Sequence, residues 1–249
     1  MSASFALRAA GLVKDYRRGR AVDGVDLTVG VGERVALLGP NGAGKTTTLL
    51  MCLGAISPDA GTVEILGHRL PKERSRAMGE VGFAAGYLPL PDRMRVIEYL
   101  RMFGRLAGLR RPDDAAHEAL TRFGIQHLAN ARATEMSSGQ KTLVGIVKAI
   151  LHRPALLVLD EPTASLDPDV ALRVRTGLRE ISDDLGTALL VTSHNMVEVT
   201  RLCERVVFLS AGRVVADGTT AEITEQFGQS DLEDVFLHLA QLRDHRALS

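Results

Sequence analysis

The chain has no net charge, because thirty Lys and Arg residues balance thirty Asp and Glu. No net field therefore draws it to nucleic acid or to an anionic membrane surface, and any membrane attachment has to run through a partner. Long apolar runs are also missing. Residues 155–159 and 188–191 are among the longest, far short of the roughly 20 needed to cross a bilayer. Cysteine is scarce: Cys52 and Cys203 are the only two. They have no metal-like spacing and sit within apolar helical patterns, so they read as buried thiols of a reducing compartment. Residues 1–8 lack the charged and apolar regions of a secretion signal, and the protein is expected to stay where it is made. Internal repeats and low-complexity tracts are absent too. What remains, 45% apolar and 24% charged over 249 residues, is the makeup of a globular chain with a substantial core.

Hydrophobic spacing sets the architecture. Val25, Leu27 and Val29 alternate with Asp26 and Thr28, the period of a half-buried strand in an antiparallel edge sheet. Residues 35–38 instead form a continuous apolar run followed by Gly39-Pro40-Asn41-Gly42, which reads as a buried parallel strand ending in a loop. Leu49, Leu53 and Ile56 then recur at helical spacing. Residues 155–159 and 188–192 are two more central strands, and residues 206–209 and 214–216 a closing hairpin turned at Gly212. Between the core strands the period is helical. Val96, Leu100, Phe103 and Ala107 share one face, Ala116, Leu120 and Phe123 a second, and Leu143, Val147 and Ile150 a third. The expected organisation is a single α/β unit. Residues 1–86 and 153–230 form the core with its β subdomain, 87–152 an inserted helical subdomain, and 231–249 a closing helix.

Gly39-Pro40-Asn41-Gly42-Ala43-Gly44-Lys45-Thr46 fits G-x-x-x-x-G-K-[ST]. Glycines let the backbone curl so that N–H groups point at phosphate oxygens, and the following helix adds its positive end. Lys45 can reach the β- and γ-phosphates, and the Thr46 hydroxyl can ligate Mg²⁺. Asp160-Glu161 closes a buried strand, at the strand end where α/β sheets bind ligands. Asp160 suits the surroundings of Mg²⁺, and Glu161 can polarise a water for attack on the γ-phosphate. A lone Asp-Glu pair in this place is otherwise helix capping, and a lone histidine otherwise structural or solvated. Ser193-His194, ending the next strand, puts His194 alone of the seven histidines within reach of such a phosphate.

Together these residues resemble the ATP-binding cassette (ABC) ATPases. Leu156-Leu157-Val158-Leu159-Asp160-Glu161-Pro162 looks like their Walker B segment, Ser165-Leu166-Asp167 like their D-loop, and His194 like their switch histidine. Met136-Ser137-Ser138-Gly139-Gln140 resembles their Leu-Ser-Gly-Gly-Gln signature, with Met and Ser replacing Leu and the first Gly. Without the family, Ser137 and Gln140 have the spacing of a capping box. The resemblance covers nearly the whole chain. It implies a P-loop NTPase (RecA-like) core and binding of ATP by Tyr16, under the adenine, and by Gly39, Asn41, Gly42, Ala43, Gly44, Lys45, Thr46 and Thr47. It further implies Mg²⁺ at Thr46 and Asp160 and catalysis by Glu161 and His194. The signature, Ser137, Ser138, Gly139 and Gln140, would meet ATP held by the opposite subunit, near the D-loop Asp167.

One phosphate loop and one signature per chain call for a second cassette, as a homodimer or with a close relative. The implied function is an ATPase that powers a separate integral membrane transporter subunit at the cytoplasmic face of the cell membrane. Stretches such as Ser193-His194-Asn195-Met196 and Asp231-Leu232-Glu233-Asp234-Val235-Phe236 resemble bacterial exporters more than importers. Two other readings stand beside it: a soluble ABC ATPase outside transport, and a regulatory nucleotide-binding subunit with weak hydrolysis. Against the first stand the single cassette and the absence of a long coiled-coil insertion, a cysteine zinc site and a basic excess. The altered signature, with Met136 and Ser138, motivates the second, and Gly86 in the place of the usual Q-loop glutamine leads us to expect genuine but slow hydrolysis.

Overall fold

The computed structural model describes residues 5–86, 90–164 and 166–247. Two long strands, β1 (Phe5–Tyr16) and β2 (Gly19–Gly30), form an antiparallel hairpin. The alternation in β2 buries Val22, Val25, Leu27 and Val29 on one face. The buried strand β3 (Arg34–Leu38) leads through the glycine loop into α1 (Lys45–Cys52). Next come β4 (Ala60–Ile65), the short β5 (His68–Arg69), α2 (Arg74–Gly79) and β6 (Val81–Ala85). The first four-stranded sheet runs β2-β1-β4-β5.

A helical stretch follows, with α3 (Val96–Leu106), α4 (Pro112–Arg122) and, after two 3₁₀ turns, α5 (Ser138–Ile150). The chain then returns to β7 (Leu156–Asp160), α6 (Pro168–Leu185), β8 (Ala188–Thr192) and α7 (Met196–Leu202). It closes with β9 (Arg205–Ser210), β10 (Arg213–Gly218), α8 (Thr220–Phe227) and α9 (Leu232–Ala247). The second sheet is six-stranded, in the order β10-β9-β3-β8-β7-β6, and all its pairings except β9 with β10 are parallel.

The continuous apolar runs of the central strands follow from burial on both faces. Leu38, Leu157, Leu159, Leu189, Val191 and Phe208 join the core shared with α3 to α6. Their neighbours Leu37, Leu156, Val158, Leu190 and Val207 join the core beneath the first sheet and α1. Arg205 ties the two sheets together, donating to Thr28 O at 3.2 Å and to Asp217 Oδ1 at 2.6 Å.

The helical faces expected from the sequence are present with adjusted ends. Val96, Leu100, Leu120, Phe123, Leu143, Val147 and Ile150 are buried. Ala107 instead caps the C-terminus of α3 and is exposed. Ile56 lies outside α1: the helix ends at Cys52, Leu53 is its C-cap, and the chain turns at Gly54, whose φ is +61°. Cys203 is not helical either. It is the extended residue that closes α7 ahead of β9. Both thiols are nonetheless buried, and burial pushes each pKa up to about 12, which makes them poor nucleophiles. In α9, Leu232, Val235 and Leu239 are buried, completing the closing helix.

Strand β6 has a glycine at its second position for a packing reason. A Cβ on Gly82 would lie 2.3 Å from Ala149 O and 2.8 Å from a Leu157 methyl, so α5 and β7 close directly over its backbone. Gly82→Ala is expected to cost about 1–3 kcal/mol, a fall of roughly 2–12 °C in melting temperature for a chain of this size. Calorimetric unfolding tests this, and an unchanged melting temperature would show that the interface yields freely.

Candidate functional site

The C-terminal ends of β3, β7 and β8 lie side by side, because β8 pairs in parallel with both of the others. Each end delivers one part of the site: the glycine loop, the carboxylate pair and the histidine.

The loop from residue 39 to residue 44 is shaped by close approach as well as by turning. Gly39 has φ +144° and a Cβ there would sit 2.1 Å from Leu209 O, while Gly44 has φ +102° and would place a Cβ 2.5 Å from Ala21 O. Neither position admits a side chain. Gly212 N–H donates to Ala43 O at 3.0 Å, which fixes the loop to the turn between β9 and β10. Gly44 is the N-cap of α1, no side chain caps this helix end, and no acidic residue stands in its first turn. The N–H groups and positive end of α1 thus remain for an anion. Thr46 is exposed in the first turn, and Asn41 and Gly42 are exposed on the loop.

Lys45 folds back over the loop, its Nζ 2.6 Å from Gly39 O and 3.3 Å from Pro40 O. Burial lowers its pKa, and the charges of Glu161 and Asp160 act in the opposite direction. The lysine and the two carboxylates therefore share one electrostatic environment. Asp160 is only 7% exposed, and its Oδ1 accepts the Thr192 hydroxyl at 2.6 Å. Glu161 Oε2 lies 2.7 Å from Nδ1 of His194, so the two residues expected to act on a water are already in contact. His194 remains largely exposed, at 67% of its side chain. Ser193 anchors the turn into α7 by accepting the Asn195 N–H at 3.0 Å.

The oxygen donors suit Mg²⁺, a hard cation that takes one or two protein oxygens together with phosphate and water. Among the described residues no group of three or more His, Cys, Asp or Glu is arranged to hold a metal.

The signature residues lie elsewhere. Ser137 is the N-cap of α5 and forms the expected capping box, its Oγ accepting from Gln140 N at 3.3 Å and its N–H donating to Gln140 Oε1 at 3.0 Å. Residues 137–140 line a cavity of about 320 Å³ together with Asp167, Arg173 and His127, and none of residues 39–47 lines it. Asp167 is the N-cap residue of α6. Leu166 packs so near Gly139 that a Cβ there would meet its methyl at 3.1 Å. Ser165 lies outside the described residues. Tyr16 ends β1, is 46% exposed as a residue, and has the Lys14 ammonium 6.0 Å from its ring centre. Its hairpin leads into Ala21, against which Gly44 packs.

Gly86 follows β6 and donates to Asp160 O at 3.4 Å. A Cβ there would meet only Glu161 O, at an ordinary 3.6 Å. Thr192 is the residue that sequence reasoning passed over. As the last residue of an apolar strand it looks like packing, and only the pairing of β7 with β8 sets it opposite Asp160.

The sequence model described as ABC transporter matches residues 22–164. The chain is 36% identical to the daunorubicin/doxorubicin resistance ATP-binding protein DrrA of Streptomyces peucetius, over 96% of this chain and 72% of that protein. It is also 36% identical to the Nod factor export ATP-binding protein I of Paraburkholderia xenovorans (strain LB400), over 94% of this chain and 78% of that protein. A solved ATP binding subunit of an ABC transporter matches with TM-score 0.86 and 29% identity, over 94% of this chain and 99% of that one. The chain belongs to the ABC transporter family, as an ATP-binding and ATP-hydrolysing subunit with a RecA-like P-loop core, a mixed sheet and a helical subdomain.

Proposed function

We propose that this subunit powers export through a separate membrane-embedded partner, by ATP-driven closure of two cassettes. The contact between Glu161 and His194 beside the phosphate loop carries the reading of hydrolysis. Lys45 exchanges its loop carbonyls for the β- and γ-phosphates, and Gly39, Asn41, Gly42, Ala43, Gly44, Thr46 and Thr47 surround the phosphates from the loop and the start of α1. Thr46 and Asp160 would hold Mg²⁺, which would neutralise phosphate charge when bound. Glu161 accepts a proton from the attacking water, and His194 keeps Glu161 and the γ-phosphate in register. Tyr16 supports the adenine.

The signature cavity is lined by none of the phosphate-loop residues. In this reading Ser137, Ser138, Gly139, Gln140 and Asp167 serve the ATP of a second copy or close relative, related by a two-fold axis. Export is supported by the relatives, one of which is named for drug resistance and the other for Nod factor export. Residues 87–152 are proposed as the inserted helical subdomain on which the membrane subunit docks, which sets the protein at the cytoplasmic face of the membrane. Beside it lies a cavity of about 640 Å³ lined by Met78, Phe83, Phe103 and Leu106. Leu106 is 76% exposed, a large apolar side chain left uncovered in the single chain. Tyr87–Pro89, within the proposed docking stretch, lie outside the described residues. No helix among the described residues is long and apolar enough to cross a membrane.

The regulatory-subunit reading rests on the altered signature, and Gly86 adds to it a position that offers no side chain beside Asp160 and Glu161. A missing polar contact of this kind slows catalysis by roughly 10²- to 10³-fold, so the expected turnover is slow. The cassette with its membrane partner is expected to outpace its Glu161→Gln counterpart by roughly 10²-fold or more. Gly86→Gln, for which the backbone leaves room, is expected to raise turnover by up to about 10²-fold. Wild-type and Glu161→Gln rates that coincide, with ATP binding intact in both, would favour the regulatory reading. Leu106→Asp is expected to move the protein from the membrane fraction to the soluble one, while stability changes by about 0.5 kcal/mol or less. An unchanged distribution would place docking elsewhere.

A further inference from the structure

The geometry points to Thr192 as a positioning residue of the hydrolytic site. We propose that its hydroxyl aligns the Asp160 carboxylate for Mg²⁺ and holds Glu161 in the backbone conformation from which it acts. This inference rests on the reading of Asp160 and Glu161 as parts of the ATP site.

Three observations meet on one side chain. Thr192 stands opposite Asp160 in the pairing of β7 with β8, and it is fully buried. Its Oγ1 donates to Asp160 Oδ1 at 2.6 Å. The same oxygen accepts the backbone N–H of Glu161 at 3.0 Å. A hydroxyl has one proton to give, and an ionised carboxylate can only accept. The chain of bonds is thereby fixed in direction, from the Glu161 amide through the hydroxyl to the carboxylate, and each bond polarises the next.

Glu161 needs such a hold. Its φ is +53°, in the left-handed region that is unfavourable for a residue with a side chain. That conformation turns the chain sharply after β7 and brings the Glu161 carboxylate back to His194 at 2.7 Å. The amide that Thr192 secures, through its hydroxyl and through its own carbonyl at 3.2 Å, belongs to the same left-handed residue. Asp160, for its part, is buried deeply enough that a carboxylate without a fixed donor would be poorly solvated. A valine fits the space of Thr192 and supplies neither bond. An ordinary packing role for Thr192 therefore predicts that valine is tolerated, whereas a positioning role predicts a specific defect.

The test uses the purified chain as wild type, Thr192→Val, Thr192→Ala and Thr192→Ser. Calorimetry measures ATP affinity in EDTA and in Mg²⁺, and steady-state assays measure turnover against Mg²⁺ concentration. In EDTA all four proteins are expected to bind ATP alike, which also reports that each has folded. In Mg²⁺, Thr192→Val and Thr192→Ala are expected to lose most of the metal-dependent gain in ATP affinity. They should need about 10- to 100-fold more Mg²⁺ for half-maximal turnover, the usual effect of removing a group that orients a metal ligand. Thr192→Ser should restore both quantities. A valine variant with the wild-type Mg²⁺ requirement would overturn the proposal, as would a serine variant as impaired as valine. If the wild type itself showed no effect of Mg²⁺ on ATP binding or turnover, the ATP-site reading would fail along with it.

Discussion

The site depends on the parallel register of β7 with β8. That register sets Leu159 against Val191 and Asp160 against Thr192, so two strands that are apolar on both faces become polar at the same level. Side chains alternate along a strand, and a slip of one residue would turn Asp160 from the site toward a core face. The two apolar layers on either side of the sheet resist such a slip, because each strand commits alternate residues to each. Core packing and the geometry of the candidate site are thus one constraint. The deeply buried carboxylate is tolerated because a threonine on the neighbouring strand meets it.

The phosphate loop depends on a different economy of space. Its glycines are pressed against Leu209 O and Ala21 O, so the second sheet on one side and the β1–β2 hairpin on the other mould the loop before any ligand arrives. Lys45 meanwhile rests on loop carbonyls, near two carboxylates that favour its charged form and within a burial that opposes it. The uncapped N-terminus of α1 leaves N–H groups free to meet a phosphate in the proposed reading. The signature helix α5 is capped by its own Ser137 and Gln140 and opens on a cavity of its own, which is the physical basis for proposing that a second copy completes each site.

Much of this was legible because the relevant residues are contiguous. The glycine loop follows one short apolar strand and the Asp160-Glu161 pair closes another, so the placement of both at strand ends is readable locally. The capping box of α5 was equally local. Elements whose reasons are tertiary were harder to see. Strand β6 reads poorly around Gly82, since that glycine is required by the approach of Ala149 and not by any local turn. Ile56 continues a helical spacing that the backbone abandons at Gly54. Cys203 continues another, but the chain there has to feed β9. Thr192 was invisible for the same reason: nothing in the order of residues pairs position 192 with position 160.

The central claim is that the glycine loop at the end of β3 binds MgATP through the Lys45 ammonium. Calorimetric titration of MgATP into wild type and Lys45→Ala tests it most directly. Charge-assisted contacts are worth about 1.5–3 kcal/mol, so the variant is expected to bind about 10- to 150-fold more weakly while its melting temperature without nucleotide stays close to wild type. Equal affinities for MgATP in the two proteins would contradict the assignment of this loop and the functional reading built on it.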